Sequence, residues 1–418
     1  MNINLLIFYI FFVLISGFEY DRFRTFITPY IILTFPFLLV ITFVNVVGYR
    51  LGYYLISDRS ILIFTLFTTV LWLGGFFFHF KPIKSFHEQP MADLRDNKES
   101  YFVIMLFIGI VAGVISLVTN WHGISGFFDS DVDNNFGKGL WGHLTIFGYP
   151  AIIMLMPTLI REKKKWLLLL FILFILLAII YQSKTRLFFM ILGGILHYLL
   201  ISKRIYRLKK VVRQTAYFLV IAIAIFISIY LASFYALMGK ENVGKEQVEF
   251  IINDRFLNYL VGPVISCSED FARNDFYEPD DIRRFFTVPY NIYSLIAFKD
   301  LTSPVRDDFI SVSNTFKDNA GTLFIYPYDA FGIMGTIVFI FILGLISYLV
   351  YIQALLKAKN ILLFAVLMTS LLLGFFGFFY HLLFFYEILL WGYFIPFLLS
   401  ILHRFLRLSM AKENTTIS

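Results

Sequence analysis

Apolar stretches of about twenty residues, each long enough to cross roughly 30 Å of hydrocarbon, recur along the chain and leave one long polar segment, Met238 to Thr322. Eight such stretches precede that segment and three follow it. In lipid a backbone must satisfy its own hydrogen bonds within each span, so segments of this kind fold as helices. The pattern predicts an all-α polytopic membrane protein of about eleven transmembrane helices with one long loop outside the membrane. A polar segment of roughly eighty residues is too long for a connector. Its own charged and aromatic side chains make it the expected seat of function.

Composition agrees. Of the residues, 59% are hydrophobic and 15% charged, with a mean hydropathy of +0.78, whereas soluble domains carry about 25% charged residues. The 52 Phe read as lipid-facing bulk. Cys267 is the single cysteine, so no intrachain disulfide forms. The net charge of +7 is distributed as the membrane dictates and does not mark a nucleic-acid partner.

Taken in order, the spans are Ile3 to Gly17, Phe26 to Val47, Ile61 to Phe80, Tyr101 to Thr119, His143 to Ile160, Trp166 to Tyr181, Leu187 to Ile201 and Ala216 to Leu237. After the long loop come Ala330 to Ile352, Ile361 to Phe379 and Phe384 to Leu402. MNINLL has no basic region, and no small-residue cleavage site follows it, so the first span reads as a retained helix and not a signal peptide. FEYDRFR reads as a short charged turn after it. The chain divides into residues 1–237 with helices one to eight, 238–322 as the large loop, 323–402 with the last three helices, and a tail over 403–418. No internal repeat is visible. Gly74–Gly75 and Gly193–Gly194 fall inside spans and read as helix packing.

Lys and Arg concentrate on cytoplasmic flanks of membrane proteins. Placing REKKK, SKRIYRLKKVVRQ, KPIKSFHEQPMADLRDNKES and HRFLRLSMAK inside brings FEYDRFR and QALLKAKN inside too. The N-terminus and the long loop then face out, and the C-terminus faces in. Arg50, Arg59, Lys138, Lys184 and Arg186 are the exceptions.

Lys184 and Arg186 open a span in SKTRLFFMILGGIL, where cations oppose both the charge rule and the positive end of the helix dipole. Ser183 or Thr185 is available as the cap. The two cations read either as side chains reaching to lipid headgroups or as an anion site at a helix start. A lipid-linked phosphate or diphosphate fits the second reading, with the planar fork of Arg186 as the main contact. At the end of the loop, YPYDAFGIMG brings Tyr326, Tyr328 and Asp329 to the start of another span. There Asp329 is a plausible N-cap, and the tyrosines suit an interfacial belt. DSDVDNN, from Asp129 to Asn135, spaces acids like a calcium loop. It lacks the glycine and the closing glutamate such a loop needs, so Asp129, Asp131 and Asp133 read as a solvated acidic loop with no metal, a looser D-x-D metal site being the alternative.

Three stretches carry a family resemblance: SKTRLFFMILGG, NYLVGPVISCSEDF, and SNTF followed by LFIYPYDAFGIMGTIVFIFILG. The chain resembles the Wzy-type O-antigen polymerases in these stretches and in its layout of many spans with one large late loop. Asn314 and Thr315 are adjacent where the family spaces them, and Ala330 separates Asp329 from Phe331. The resemblance implies a glycosyltransferase-C-like fold in a bacterial inner membrane, with the long loop and N-terminus periplasmic and the C-terminus cytoplasmic. It implies an enzyme that polymerises undecaprenyl-diphosphate-linked repeat units of a surface polysaccharide, O-antigen or capsule, without a cofactor. Its partners would be those lipid-linked oligosaccharides, membrane lipids and a chain-length regulator.

Such a reaction develops charge on a diphosphate leaving group, which fixed cations stabilise. Arg186 and Lys184, with Arg255, Arg283, Arg284 or Arg306 and the aromatic Tyr326 and Tyr328, are the residues that suit this. The acceptor hydroxyl needs a base, and Glu269, Asp270, Asp329 and His381 are the candidates, with nothing in the sequence to choose among them. A ligase shares this layout. A lipid-linked glycan flippase or transporter is the reading from another class, against which stands the scarcity of charge within the spans.

Overall fold

The computed structural model describes residues 2–79, 98–119, 139–181, 184–202, 256–273, 279–300, 302, 309–318, 320–357, 360–374 and 382–416, with single positions at 213, 217, 220, 224, 227 and 228. The chain forms two compact units, one from Met1–Pro90 with Lys245–Leu383 and one from Met91–Gly244 with Phe384–Ser418.

The first unit begins with α1 (Ile3–Phe23), α2 (Pro29–Val46) and α3 (Asp58–His79). The Asn2 side chain accepts from the Asn4 amide to start α1, and Thr28 caps α2, with Pro29 as its first residue. This uses proline where its missing N–H costs nothing. α1 runs to Phe23 and ends on Arg24 in the left-handed conformation. FEYDRFR is therefore largely helical, not a turn, because Glu19 and Phe23 are buried by neighbouring helices.

In the second unit lie α4 (Lys98–Thr119), α5 (Gly139–Thr145), α6 (Gly148–Glu162), α7 (Lys165–Ile180) and α8 (Lys184–Ser202). The first unit resumes with α9 (Phe256–Arg273), α10 (Pro279–Phe285), α11 (Thr287–Ile296), α12 (Ile325–Lys357) and α13 (Ile361–Leu373). The final helix, α14 (Leu382–Thr416), belongs almost wholly to the second unit. The described parts of the long polar segment are thus mainly helical. α9 packs on α2 and α3, with Val261 to Ser268 all buried.

Among the described residues seven helices are long and apolar enough to cross a membrane, and α7, most of α8 and α13 are shorter apolar helices. The expected span Ala216–Leu237 lies largely outside the described residues. One small departure from an all-α chain is a hairpin of β1 (Ile310–Ser311) and β2 (Lys317–Asp318), antiparallel, with an isolated bridge from Tyr53 to Ser313. SNTF forms its turn, where the Ser313 hydroxyl accepts from the amides of Thr315 and Phe316. Asn314 and Thr315 themselves are exposed.

α3 and α12 form the tightest helix pair of the first unit. A Cβ on Gly74 would stand 2.3 Å from the Phe341 carbonyl oxygen, and one on Gly344 would stand 2.1 Å from that of Leu71. The helices therefore meet backbone to backbone through glycines, the expected use of small residues in membrane bundles. An aromatic group of Phe37, Phe64, Phe67, Phe271 and Phe324, with ring centroids 5.1 to 6.0 Å apart, joins α2, α3, α9 and the approach to α12. Such pairs contribute roughly 0.5–1.5 kcal/mol each beyond simple burial.

α12 is not one regular helix. Gly332 has φ +65° and ψ −169°, a conformation open essentially only to glycine. The segment from Ile325 to Phe331 is thereby set off from the long membrane helix that follows.

Candidate functional site

In the first unit the candidate residues gather where α3 begins, α9 nears its end and α12 begins. Ser57 precedes α3, and its hydroxyl lies 2.7 Å from that of Ser60. The Ser57 amide donates to the Ser268 hydroxyl at 3.2 Å, and the Ser60 hydroxyl donates to the Ser268 carbonyl at 3.0 Å. Next along α9, Cys267 accepts through sulfur from Thr322 at 3.2 Å. These bonds fix α9 to both α3 and the approach to α12.

Above them the Tyr328 hydroxyl lies within electrostatic reach of Arg59, Cys267, Asp329 and Asp270, and its ring meets Phe271 at 4.6 Å. Two of the four expected base candidates are thus brought together with one of the expected tyrosines. Both carboxylates are inside, with Asp270 6% and Asp329 9% exposed. Burying carboxylates is costly unless opposite charge and hydrogen bonds accompany them, and Arg59 acts on the same Tyr328 hydroxyl as both of them. Glu269 is half-buried and Tyr326 buried. Asp329 is an interior residue of the first segment of α12, which starts at Ile325, so it does not cap that helix.

Arg283 and Arg284 stand in the last turn of α10, which packs on α12 through Phe285 against Phe331 and Phe339 at 5.2 and 5.3 Å. The Arg283 guanidinium lies over the Tyr290 ring, 5.5 Å from its centroid. Arg255, Arg306 and His381 lie outside the described residues, as do Asp129, Asp131 and Asp133. Among the described residues no group of three or more His, Cys, Asp or Glu is arranged to hold a metal.

Lys184 and Arg186 belong to the second unit. Lys184 is the first residue of α8, so Thr185 lies inside the helix and does not cap it. Ser183 is outside the described residues. Arg186 is half-buried. Just before α8, the Tyr181 hydroxyl donates to the Gly113 carbonyl at 2.7 Å, and Gly113 faces Thr145 and Leu177. The end of α4, the start of α6, the end of α7 and the start of α8 therefore share one end of this unit.

At that same end, His143 Nδ1 lies 2.7 Å from Glu387 Oε1, and the Trp391 indole donates to the same oxygen at 3.4 Å. Phe147 and Trp391 rings meet at 4.9 Å, so α14 starts here as well. At the opposite end, Lys164 bridges Glu162 at 2.7 Å and Glu99 at 3.3 Å. The Glu162 hydrogen bond is the largest cause of an ammonium pKa above the usual lysine value there.

One further polar group sits in the first unit, at the other ends of α3 and α12. Glu19 is wholly buried and accepts from the hydroxyls of Thr28 and Tyr348. His79 Nε2 lies 3.6 Å from Glu19 Oε1, while His79 Nδ1 donates to the Gly75 carbonyl at 2.9 Å.

Arg59, His143, Glu387 and the Glu19–His79 pair were not among the sequence candidates. For Arg59 the signal existed, since it is a cation at a helix start on the wrong side of the charge rule, as Arg186 is. His143 and Glu387 are 244 positions apart, and no local pattern joins them.

Helices of this length and apolarity define an α-helical membrane protein. The chain belongs to the DUF6337 family, described as a family of unknown function, whose model matches residues 94–406. α1 to α3, and with them Arg59, lie before the matched region. No curated protein matches the chain, and no solved structure does.

Proposed function

We propose that this chain polymerises lipid-diphosphate-linked oligosaccharide repeat units at the outer face of a bacterial inner membrane, with about eleven spans and the long polar segment outside. The observation that carries the reading is the helix start at Lys184 and Arg186, which shares one end of its unit with an exposed imidazole–carboxylate pair. Cations at a helix start with free amide N–H groups suit a diphosphate leaving group. The resemblance in SKTRLFFMILGG falls on that helix start.

Deleting the chain in its host tests this on a gel of surface polysaccharide. The expected result is a single repeat in place of a ladder. No surface repeat at all would indicate a flippase, and polymer stranded on the lipid carrier would indicate a ligase.

The second reading, a transporter of lipid-linked glycans, is favoured by Glu19 and His79. Buried ionisable residues within membrane helices are expensive and commonly serve transport.

A further inference from the structure

We infer that His143 is the general base that deprotonates the attacking sugar hydroxyl and that Glu387 positions it, an assignment that rests on the glycan transfer proposed above. The case begins with access. A general base must reach the proton it takes directly or through one water. Asp270 and Asp329 are nearly sealed, whereas the His143 side chain is 60% exposed and that of its partner Glu387 25%.

The second part is which nitrogen is free. An ionised carboxylate only accepts hydrogen bonds, so the 2.7 Å contact means that Nδ1–H of His143 donates to Glu387. That fixes the tautomer and leaves the Nε2 lone pair directed away from Glu387. The Trp391 indole donates to the same Glu387 oxygen, which holds the carboxylate while the ring stays open to solvent. A carboxylate behind an imidazole orients it and stabilises the imidazolium formed on proton uptake.

The third part is location. The pair shares the end of the second unit from which α8 starts with Lys184 and Arg186. Base and leaving-group cations thus belong to one unit and one end of it.

The step balances. The acceptor hydroxyl oxygen forms a bond to C1 of the donor sugar, and the C1–oxygen bond to the diphosphate breaks. The electron pair leaves with the lipid diphosphate, whose charge Arg186 meets. The hydroxyl proton goes to His143 Nε2 and afterwards to water.

The test uses the full chain in lipid nanodiscs with polyprenyl-diphosphate-linked repeat units extracted from cells lacking it, and reads extension rate against pH. The wild-type chain extends the repeat. His143→Gln, which can still donate to Glu387, slows extension by about 10²–10⁴-fold, the usual worth of a positioned base. Glu387→Gln still accepts from Nδ1–H but removes the charge behind the ring, so the rising limb of the pH–rate profile moves to lower pH. A merely structural Glu387 would leave that limb in place.

If His143→Gln extends at the wild-type rate, the assignment is wrong although the transfer reading stands. If the wild-type chain itself extends nothing, both fall together. Should His143→Gln fail to accumulate in membranes, the Glu387→Gln limb decides alone: a shift supports the assignment and an unmoved limb overturns it.

Discussion

The Tyr348 hydroxyl donates to the carboxylate of Glu19 across 329 positions of sequence, from α12 to α1. Both residues are fully buried, and the Thr28 hydroxyl occupies the second carboxylate oxygen. Removing one donor leaves a buried charged acceptor underserved, at a cost of about 1–3 kcal/mol. Tyr348→Phe keeps the ring and should lower the unfolding temperature of the chain in nanodiscs by that measure. An unchanged unfolding curve would mean that the bond contributes nothing net.

The glycine contact between α3 and α12 makes a sterically definite prediction. In Gly344→Ala the new methyl would start 2.1 Å from the Leu71 carbonyl oxygen, and neither backbone has slack to give. Overpacking of this kind costs about 1–3 kcal/mol. The variant should be less thermostable than Gly17→Ala, whose methyl would meet nothing within 4 Å. Equal stability of the two would contradict the close pairing.

Gly332 carries a conformational requirement, not a packing one. At φ +65° and ψ −169°, any side chain is strained by about 1–3 kcal/mol. Gly332→Ala should therefore straighten the helix or unseat the segment from Ile325 to Phe331. The measurement is modification of Cys267, now buried behind that segment, by a thiol reagent. Faster labelling than wild type is expected, and an identical rate would place the strain elsewhere.

Asp329→Asn separates two roles for a residue that is 9% exposed. Since Asp329 lies inside, the substitution should destabilise the chain by about 1–3 kcal/mol while the polysaccharide ladder persists. Loss of the ladder at normal membrane abundance would return Asp329 to the chemistry.

Arg186→Ala should reduce polymer by about 10²–10³-fold, the typical cost of removing one donor to a developing anion. Arg186→Lys should recover only part of it because the bidentate fork is lost. Full activity of the alanine variant, read on the same gel, would leave Arg186 as a cation resting among lipid headgroups.

Helices were legible because each lipid-crossing stretch must be apolar for about twenty residues. Their ends were less so. FEYDRFR looked like a turn because Glu19, Asp21, Arg22 and Arg24 are charged. Yet Glu19 is satisfied by Thr28 and Tyr348, and only distant packing makes a helical Glu19 tolerable. The sequence predicts a start for α12 at Ala330, because Tyr326, Tyr328 and Asp329 suit an interface. A helix covers them, and Gly332 then interrupts it.

For the site, Arg186 is marked in the sequence by its conflict with the charge-asymmetry rule and the helix dipole. The same conflict exists at Arg59, and the His143–Glu387 pair depends on α5 and α14 meeting in space. The segment NYLVGPVISCSEDF, read as part of a loop, is a buried helix because Val261, Val264, Ile265 and Phe271 pack inward.

The first unit is assembled from two stretches, Met1–Pro90 and Lys245–Leu383, and this sets a clock on synthesis. At 5–20 residues per second, the 329 positions between Glu19 and Tyr348 take roughly 15–65 s to translate. Through that interval α1 holds a carboxylate that has Thr28 nearby but not yet Tyr348. A nascent chain that ends before α12 therefore lacks the donor that completes the bonding of Glu19.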